Sequence, residues 1–511
     1  MAFIGTILQE SIRLRQNIAA GRIRATPFLQ QHKILEKILG NAEETLFGTD
    51  HDFVSIQNAK DMPQAFRQAV PLTNYETMLK GYWHRTLNDE EDICHPGRTK
   101  FFALTSGTSE AASKKIPVTA NMIRAVRRTS IRQMLTLSNF DLPGNFYEKG
   151  VLMLGGSTQL QKMGQHFEGD LSGILASNLP FWFYRFYKPG RKLAMERDWT
   201  TKLELITQEA ARWDIGIIAG VPAWVQILIE KIIEHHKVKH IHDIWPNLKF
   251  FVHGGVAFEP YKKGFRNLLG QDINYMETYL ASEGFMAFQS GGEEHMHLVL
   301  DNGIFFEFIP YNEDNFDDAG NLLPHAKTLL IHEVREDVDY AVVITTNAGT
   351  FRYLIGDTIR FVDCSRNQII ITGRTKHFIS LCGEHLSVDN MNRGIEKVGE
   401  QFNCEIREFS VAGIPHDGLF AHQWYIAMDK EADPDQVRNI LDKTLAEVND
   451  DYGVERKAAL KDVWIKLLPT EAFYGFMRHL GKEGGQHKFP RVLKGDILNK
   501  WTQYLKTNRY D

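Results

Sequence analysis

The sequence predicts an α/β protein: a large N-terminal domain of β-sheets and helices that includes a β-subdomain, then a small α+β C-terminal domain. Three observations predict it. Between about 150 and 270, compact apolar runs ending in glycines alternate with helical stretches, which argues for α/β layers. From about 296 to 372 the chain is a succession of β-rich runs joined by polar turns. After Arg374 the character changes again, to strand-like runs with one well-marked helix. At 511 residues the chain has room for about two to four domains of roughly 150 residues each.

In chain order, apolar residues recur at three- and four-residue intervals from about 6 to 46, which predicts helix. Glu10, Arg13 and Arg15 interrupt the apolar pattern, so this start reads as an amphipathic helix and no leader is expected. "GVLMLGG" at 150–156, "DIGIIAGVPAW" at 214–224 and "LKFFVHGG" at 248–255 read as buried strands whose ends turn sharply into loops. "TKLELITQEAARW" and "PAWVQILIEKIIEHH" are the helices between them. In the β-rich block, "DNG" at 301–303 predicts a hairpin, and the block as a whole a β-subdomain or small barrel. In the last part, "REFSVAGIP" and "HQWYIAMD" read as strands. "DPDQVRNILDKTLAEVNDDYG" reads as a helix opened by Asp433 and Pro434.

Hydrophobic residues at 43% and charged residues at 24% describe a globular chain. Lys+Arg number 59 against Asp+Glu 64, a net charge of -5, which gives no electrostatic reason for a nucleic-acid or membrane partner. No apolar run approaches the ~20 residues that span a bilayer. Cys94, Cys364, Cys382 and Cys404 have no short-spaced pair, which argues against a disulfide framework or zinc knuckle and suits a reducing cytoplasm. A cytoplasmic monomer acting on small molecules is the expectation.

Three segments carry candidate chemistry. "FFALTSGTSEAASKKIPVT" at 101–119 has a turn at Gly107 lined by hydroxyls from Thr105, Ser106, Thr108 and Ser109, followed by Lys114 and Lys115. It lacks the second glycine of a P-loop, and its lysines lead into "IPVT" and not into a helix. Hydroxyls donate to phosphate oxygens and a lysine neutralises their charge; the plain alternative is a solvated turn with surface lysines. "YMETYLASEGFMAFQ" at 275–289 sets Tyr279 four residues before Glu283. The aromatic suits stacking on a base, and the carboxylate suits Mg²⁺, which prefers oxygen and usually bridges to phosphates; the alternative is a core tyrosine and a surface glutamate. "FRYLIGDTIRF" at 351–361 sets Asp357 after a glycine between β runs, where a carboxylate can accept both hydroxyls of a ribose or simply occupy a hairpin turn.

In order, these three segments resemble the nucleotide motifs of the adenylate-forming superfamily of acyl-CoA synthetases and luciferases. "AVPLTNYETM" at 69–78, "AGVPAWVQIL", "HGGVAFEPY", "FFEFIP" at 305–310 and "GGQHKFPR" at 484–491 narrow the likeness. With them the chain resembles the Gretchen Hagen family of auxin-responsive acyl-acid amido synthetases, from about residue 20 to 500. "TKHFISLCGEHLSVDNMN" at 375–392 is more similar to bacterial members than to plant ones. The resemblance implies a large domain over 1–375, a hinge at 376–384 and a small mobile lid over 385–511. It also implies an ATP- and Mg²⁺-dependent ligase that adenylates a carboxylic acid, releases pyrophosphate and passes the acyl group to an amine, usually that of an amino acid. By the same resemblance Ser106, Gly107, Thr108 and Ser109 hold phosphate with Lys114 nearby, three residues before Pro117, and Lys115 is the fallback. Glu283 carries Mg²⁺ beside Ser282, Tyr279 covers the adenine, Asp357 binds ribose, the turn at Gly254 and Gly255 approaches the base edge, and Lys488 reaches the α-phosphate when the domains close.

The sequence departs from the superfamily in two places. The phosphate loop lacks a glycine-rich second half, and Thr375 and Lys376 stand at the hinge where an aspartate is common, leaving Arg374 as a phosphate or ribose contact. Two rival activities share the motifs: an acid–thiol ligase that loads coenzyme A or a carrier, and a nucleotide-binding module without catalysis. His236 and His240 have the i, i+4 spacing of a metal pair without a supporting third ligand, and they read as a solvated helix end. His295 and His297 on one strand face, and the basic stretch "RAVRRTSIR" at 124–132, are likewise read as solvated surface.

Overall fold

The computed structural model describes residue 10 and residues 25–105, 114–255, 258–317, 320–375, 379, 386, 388–416, 419–449, 452–453, 456, 460–482 and 489–510. Helix α1 (Pro27–Ala42) starts where the Thr26 hydroxyl accepts from the Leu29 N–H and Pro27 occupies the first turn. Of the helix expected over 6–46, residue 10 is also helical.

The largest sheet changes character along its length. Strands β3 (Gly150–Met153), β6 (Tyr187–Lys188), β7 (Ile215–Gly220), β8 (Phe250–Gly254) and β9 (Asn274–Ala281) run parallel. Helices α3 (Trp199–Glu209), α4 (Pro222–His236) and α5 (Lys262–Leu268) connect them, as the alternation of runs predicts. Leu152, Ile218 and Phe251 of the strands meet Leu203, Ile206, Val225, Leu228 and Phe265 of these helices in one apolar cluster. From β9 onward the pairing is antiparallel: β10 (Gly284–Gln289), β11 (Met296–Leu298), β12 (Ile304–Pro310), β13 (Asp339–Thr346), β14 (Thr350–Asp363) and β15 (Gln368–Arg374). The spatial order is β12-β13-β14-β15-β11-β10-β9-β8-β7-β3-β6.

Two expectations for the β-rich block need correction. Gly303 does make a turn, at φ +84, but the strands on either side of "DNG" are not a hairpin. Both sides of β11 are taken by β10 and β15, so the chain crosses to the far edge, where β12 pairs with β13. The block is also not a closed barrel of its own, because it continues through β10 and β9 into the parallel strands. It is nevertheless strongly curled: Tyr279 on β9 reaches Asp357 on β14 with a hydrogen bond of 2.7 Å, although β10, β11 and β15 intervene in the strand order. Helix α1 packs on the curled half, where Gln31 donates to the Leu300 and Ile304 carbonyls and accepts from the Phe306 N–H.

A second sheet, ordered β2-β1-β5-β4, is built from β1 (Phe101–Thr105), β2 (Lys114–Val118), β4 (Gln161–Met163) and β5 (His166–Gly169). Helix α2 (Ala120–Leu135) follows it and packs against β10. The C-terminal sheet, ordered β18-β17-β16-β19, comprises β16 (Phe409–His416), β17 (Leu419–Ala427), β18 (Leu460–Leu468) and β19 (Val492–Leu493). Helices α6 (Val388–Phe402) and α7 (Pro434–Val448) share one apolar cluster with it, while α8 (Thr470–His479) and α9 (Gly495–Thr507) share another. Asp433 caps α7 by accepting from the Asp435 N–H.

Candidate active site

The candidate residues meet where the parallel half of the sheet gives way to the antiparallel half. Ser282 and Glu283 form the turn between β9 and β10, and the flanking Ala281 and Gly284 pair with each other. Tyr279 precedes them on β9, 5% exposed, with its hydroxyl donating to Asp357 Oδ2 at 2.7 Å. Asp357 faces Arg374 across the β14–β15 ladder, and Arg374 Nε lies 2.9 Å from Asp357 Oδ1. Both oxygens of Asp357 are therefore fixed, one by a phenol and one by a guanidinium. Gly356 has φ +89, a conformation that glycine takes without strain, and its carbonyl accepts from the Thr375 N–H.

The charges of this cluster act on one another. Burial, followed by the Asp357 carboxylate, holds the Tyr279 hydroxyl well above its ordinary range, so it remains a donor. Asp357 raises Arg374 further above its usual value. Glu283 is 8% exposed, and burial together with the nearby Asp357 pushes its carboxyl up to about 7. Its own backbone hydrogen bond, Arg374 and Lys114 oppose the shift. Arg374 itself remains 46% exposed, so the cluster opens to solvent on that side.

Lys114 and Lys115 separate. Alternate residues of a strand face opposite ways, and Lys115 ion-pairs with the buried Glu168 at 2.6 Å, whereas the charge of Lys114 reaches Glu283. Gly254 and Gly255 end β8 beside β9. A Cβ on Gly254 would come within 2.4 Å of the Thr278 carbonyl oxygen, and Gly255 has φ +86. Lys114, Gly254, Gly255, Tyr279, Ser282, Glu283, Asp357 and Arg374 are thus brought to one region, while Ser106, Gly107, Thr108, Ser109 and Lys488 lie outside the described residues.

Sequence reading missed three contributors. Tyr353 on β14 is buried and electrostatically coupled to Glu283. Tyr75 accepts the Lys114 ammonium 5.5 Å from its ring centre, and its hydroxyl accepts from the Lys115 N–H. His166 on β5 sits between Asp89 at 2.8 Å and Glu168 at 3.3 Å, the carboxylate that Lys115 also engages. "NYETM" and "YLIGD" lie within quoted motifs, so proximity to a motif was the signal available for the two tyrosines; His166 offered none. Two of the histidines set aside have structural partners: His236 donates to the Thr207 carbonyl and His297 to that of Arg366. Among the described residues no three His, Cys, Asp or Glu side chains come together as a metal cage, and no helix is long and apolar enough to cross a membrane.

Known proteins share this architecture. The fold is similar to that of the GH3.15 acyl acid amido synthetase, with TM-score 0.77 and 16% identity over 98% of this chain and 96% of that one. It is also similar to 2-hydroxyisobutyryl-CoA ligase in its postadenylation state, with TM-score 0.57 and 13% identity over 93% and 91%. A jasmonoyl–L-amino acid synthetase, GH3.5 of Oryza sativa subsp. japonica, is 32% identical over 272 residues, 49% of this chain and 46% of the relative. In the first such matches the chain spans 34% to 47% of the curated relatives' length. Family descriptions cover most of the chain in order: the GH3 family N-terminal domain matches residues 23–189 and 128–273, the central domain 297–374 and the C-terminal domain 389–496. With these matches laid over the mixed sheet and its Tyr279–Asp357–Arg374 cluster, the chain belongs to the GH3 family.

Proposed function

We propose that this chain is an ATP-dependent acyl-acid amido synthetase, an enzyme that joins a small carboxylic acid to an amine, in particular an amino acid, through an acyl-adenylate. The observation that carries the reading is the bonded cluster of Tyr279, Asp357 and Arg374 beside a buried Glu283 and Lys114, assembled from segments far apart in sequence.

A carboxylate does not react with an amine because its leaving group would be oxide or hydroxide. In the first step its oxygen attacks the α-phosphorus of ATP, the bond to the bridging oxygen of the β-phosphate breaks, and pyrophosphate leaves. In the second the amine nitrogen attacks the acyl carbon, the carbon–oxygen bond to AMP breaks, and the nitrogen gives up a proton. The protein's task is placement and charge neutralisation. Asp357, held at both oxygens, accepts from the ribose hydroxyls without having to reorganise. Tyr279 orients it through its hydroxyl, while its ring is buried in the apolar core and does not present the face to the adenine that the resemblance implies; the backbone of Gly254 and Gly255 is left to meet the base. Lys114 and Arg374, with Ser106, Gly107, Thr108 and Ser109, meet phosphate oxygens, and Lys488 belongs to the α-phosphate.

Glu283, with Ser282 beside it, would hold Mg²⁺. A single buried carboxylate fits this ion, which is usually bound by one or two carboxylates together with substrate phosphates, and when bound it neutralises charge on phosphate oxygens. A net charge of -5 suits small-molecule substrates better than nucleic acid. The bacterial-type, cytoplasmic and monomeric readings belong to the same proposal.

The test is pyrophosphate release from ATP and Mg²⁺ with each member of an acid panel that includes indole-3-acetate, jasmonate and benzoate. It is repeated with pooled amino acids and, separately, with coenzyme A. Acid-dependent release with an amide product supports the reading; a thioester product replaces it with the thiol ligase. ATP binding with no release for any acid leaves only a nucleotide-binding module.

A further inference from the structure

The parallel edge of the large sheet carries a surface that the chemistry above does not use. β6 ends the spatial order there, paired with β3. Before reaching it, the chain leaves the short helix Leu171–Ser177 and makes a tight turn at Phe181–Phe183, opened by Pro180. Phe183 and Tyr184 turn inward against Ala176, Tyr187 and Ala194, which fixes the turn to the body of the domain. Phe181 and Trp182 turn outward and are 86% and 51% exposed. The Trp182 ring stands edge-on to Phe183 with centres 5.8 Å apart, so the indole is braced where it projects.

Cations surround this apolar tip. From Ser177 to Met195 the sequence carries Arg185, Lys188, Arg191 and Lys192 and no Asp or Glu. The Arg191 guanidinium lies 3.8 Å from the centre of the Tyr184 ring, and that of Arg185 4.6 Å from the centre of Phe186. A guanidinium laid on an aromatic face keeps its charge and its outward N–H groups for an anion. Helix α2 extends the basic face. Arg127 donates to the Asn178 carbonyl at 2.6 Å, which sets the helix beside the tip, and Arg124 and Arg128 are exposed. At 3.6 residues per turn these three fall within an arc of about 100°, whereas Arg132 is taken by Asp301. α2 also contains no Asp or Glu. The chain's net charge of -5 therefore conceals a basic face, and the expectation of no membrane partner rested on that average.

We propose that this face binds the surface of an anionic phospholipid bilayer. Phe181 and Trp182 enter the headgroup layer, and Arg185, Arg191 and Lys192, with Arg124 and Arg128 of α2, meet lipid phosphates. Aromatic side chains settle at that depth, and Lys and Arg beside them are drawn to anionic lipid. Apart from the indole N–H, Leu179 to Phe183 carry no polar side-chain atom with which to read a base edge or a peptide, which favours lipid over nucleic acid or protein. β8, β7 and β3 stand between β9 and β6, so at about 4.8 Å per strand the face lies roughly 19 Å along the sheet from Tyr279 and leaves the nucleotide cluster free.

The test is co-sedimentation of the full chain with vesicles of phosphatidylcholine alone, or of equal parts phosphatidylcholine and phosphatidylglycerol, at low and high NaCl. Wild type should bind the anionic vesicles at low salt at least about tenfold more tightly than the neutral ones, and should be released by high salt. Phe181→Ser with Trp182→Ser removes the tip, and Arg128→Glu with Lys192→Glu reverses two exposed charges; each pair should weaken binding at least about tenfold. Trp182→Phe should keep binding and lose the vesicle-induced blue shift of the tryptophan emission. Because all four substituted positions are exposed, melting temperatures should match wild type. No binding to anionic vesicles, equal binding to neutral ones, or tip and charge variants that bind like wild type overturn the proposal. Tighter binding to a polyuridylate oligonucleotide, lost in the same variants, would make the face a nucleic-acid surface. A sedimentation coefficient of the protein alone that falls in the tip variant would make it a contact between copies of this chain. Either result also overturns the lipid assignment.

Discussion

Lys114 and Lys115, neighbours on β2, answer to different partners: Lys115 places its ammonium 2.6 Å from Glu168 Oε1, whereas Lys114 holds its own 5.5 Å from the centre of the Tyr75 ring. One is committed to a buried carboxylate and the other lies within electrostatic reach of Glu283.

Replacing them should therefore give opposite phenotypes. Lys114→Ala should lower acid-dependent pyrophosphate exchange by roughly a hundredfold, the scale of a lost phosphate-stabilising group, with little change in Tm. Lys115→Ala leaves Glu168 buried beside His166 with one partner fewer and should cost about 1–3 kcal/mol of stability. Thermal melts and exchange kinetics on the two variants check this; matching profiles would show that the strand does not sort them.

Glu283 supplies a pH signature. Its carboxyl, pushed up to about 7 chiefly by burial, binds a proton in the folded chain at pH values where the unfolded chain has released it. The resulting stability is present below the ordinary value of 4.5 and is lost as pH rises to about 7, by at most about 3 kcal/mol. Glu283→Gln should flatten that slope, raise Tm above pH 7 and abolish Mg²⁺-dependent exchange. Mg²⁺ must displace the same proton, so its affinity should fall about tenfold per unit below pH 7, with proton release seen by calorimetry in buffers of different ionisation enthalpy.

Tyr279→Phe isolates the hydroxyl from the ring. Asp357 would keep Arg374 and lose its phenolic donor, so ATP affinity should fall about fivefold to tenfold, near 1 kcal/mol, while Tm moves little. Asp357→Asn should lose more, because both neighbours then face an amide. A Tyr279→Phe enzyme with unchanged ATP affinity would separate the aspartate's orientation from nucleotide binding.

These relationships were legible in the sequence to different depths. Parallel strands β3, β7 and β8 could be read because each is a short apolar run closed by glycine and lies inside a quoted run, and β7 and β8 lead on into helices. Glu283 and Asp357 could be singled out as residue types in context. Their meeting could not, because it depends on the curl that lays β14 against β9 across three intervening strands. The facing of Asp357 and Arg374 depends on register shifts near Thr358 and Phe361 that no local pattern announces. "DNG" misled for a related reason: a turn signal shows that the chain bends, not which strands it joins, and β11 had no free side left.

Not every buried charge belongs to the chemistry, and Arg352 with Glu307 gives a test of that distinction. Glu307 is fully buried, and Arg352, 5% exposed at φ +42, bonds it through Nε and Nη2. Arg352 Nη1 also reaches the Arg67 and Val70 carbonyls, which ties the segment before β1 to the sheet. Removing one partner strands the other charge, so Glu307→Gln or Arg352→Met should destabilise the chain by about 3–5 kcal/mol, whereas the double variant, with no charge left unpaired, should recover part of that loss. Urea melts measure the cost. Below the melting range the folded fraction of each variant should retain wild-type exchange per folded molecule, since neither residue joins the Tyr279–Asp357–Arg374 cluster. A folded double variant without exchange would move this pair into the catalytic apparatus.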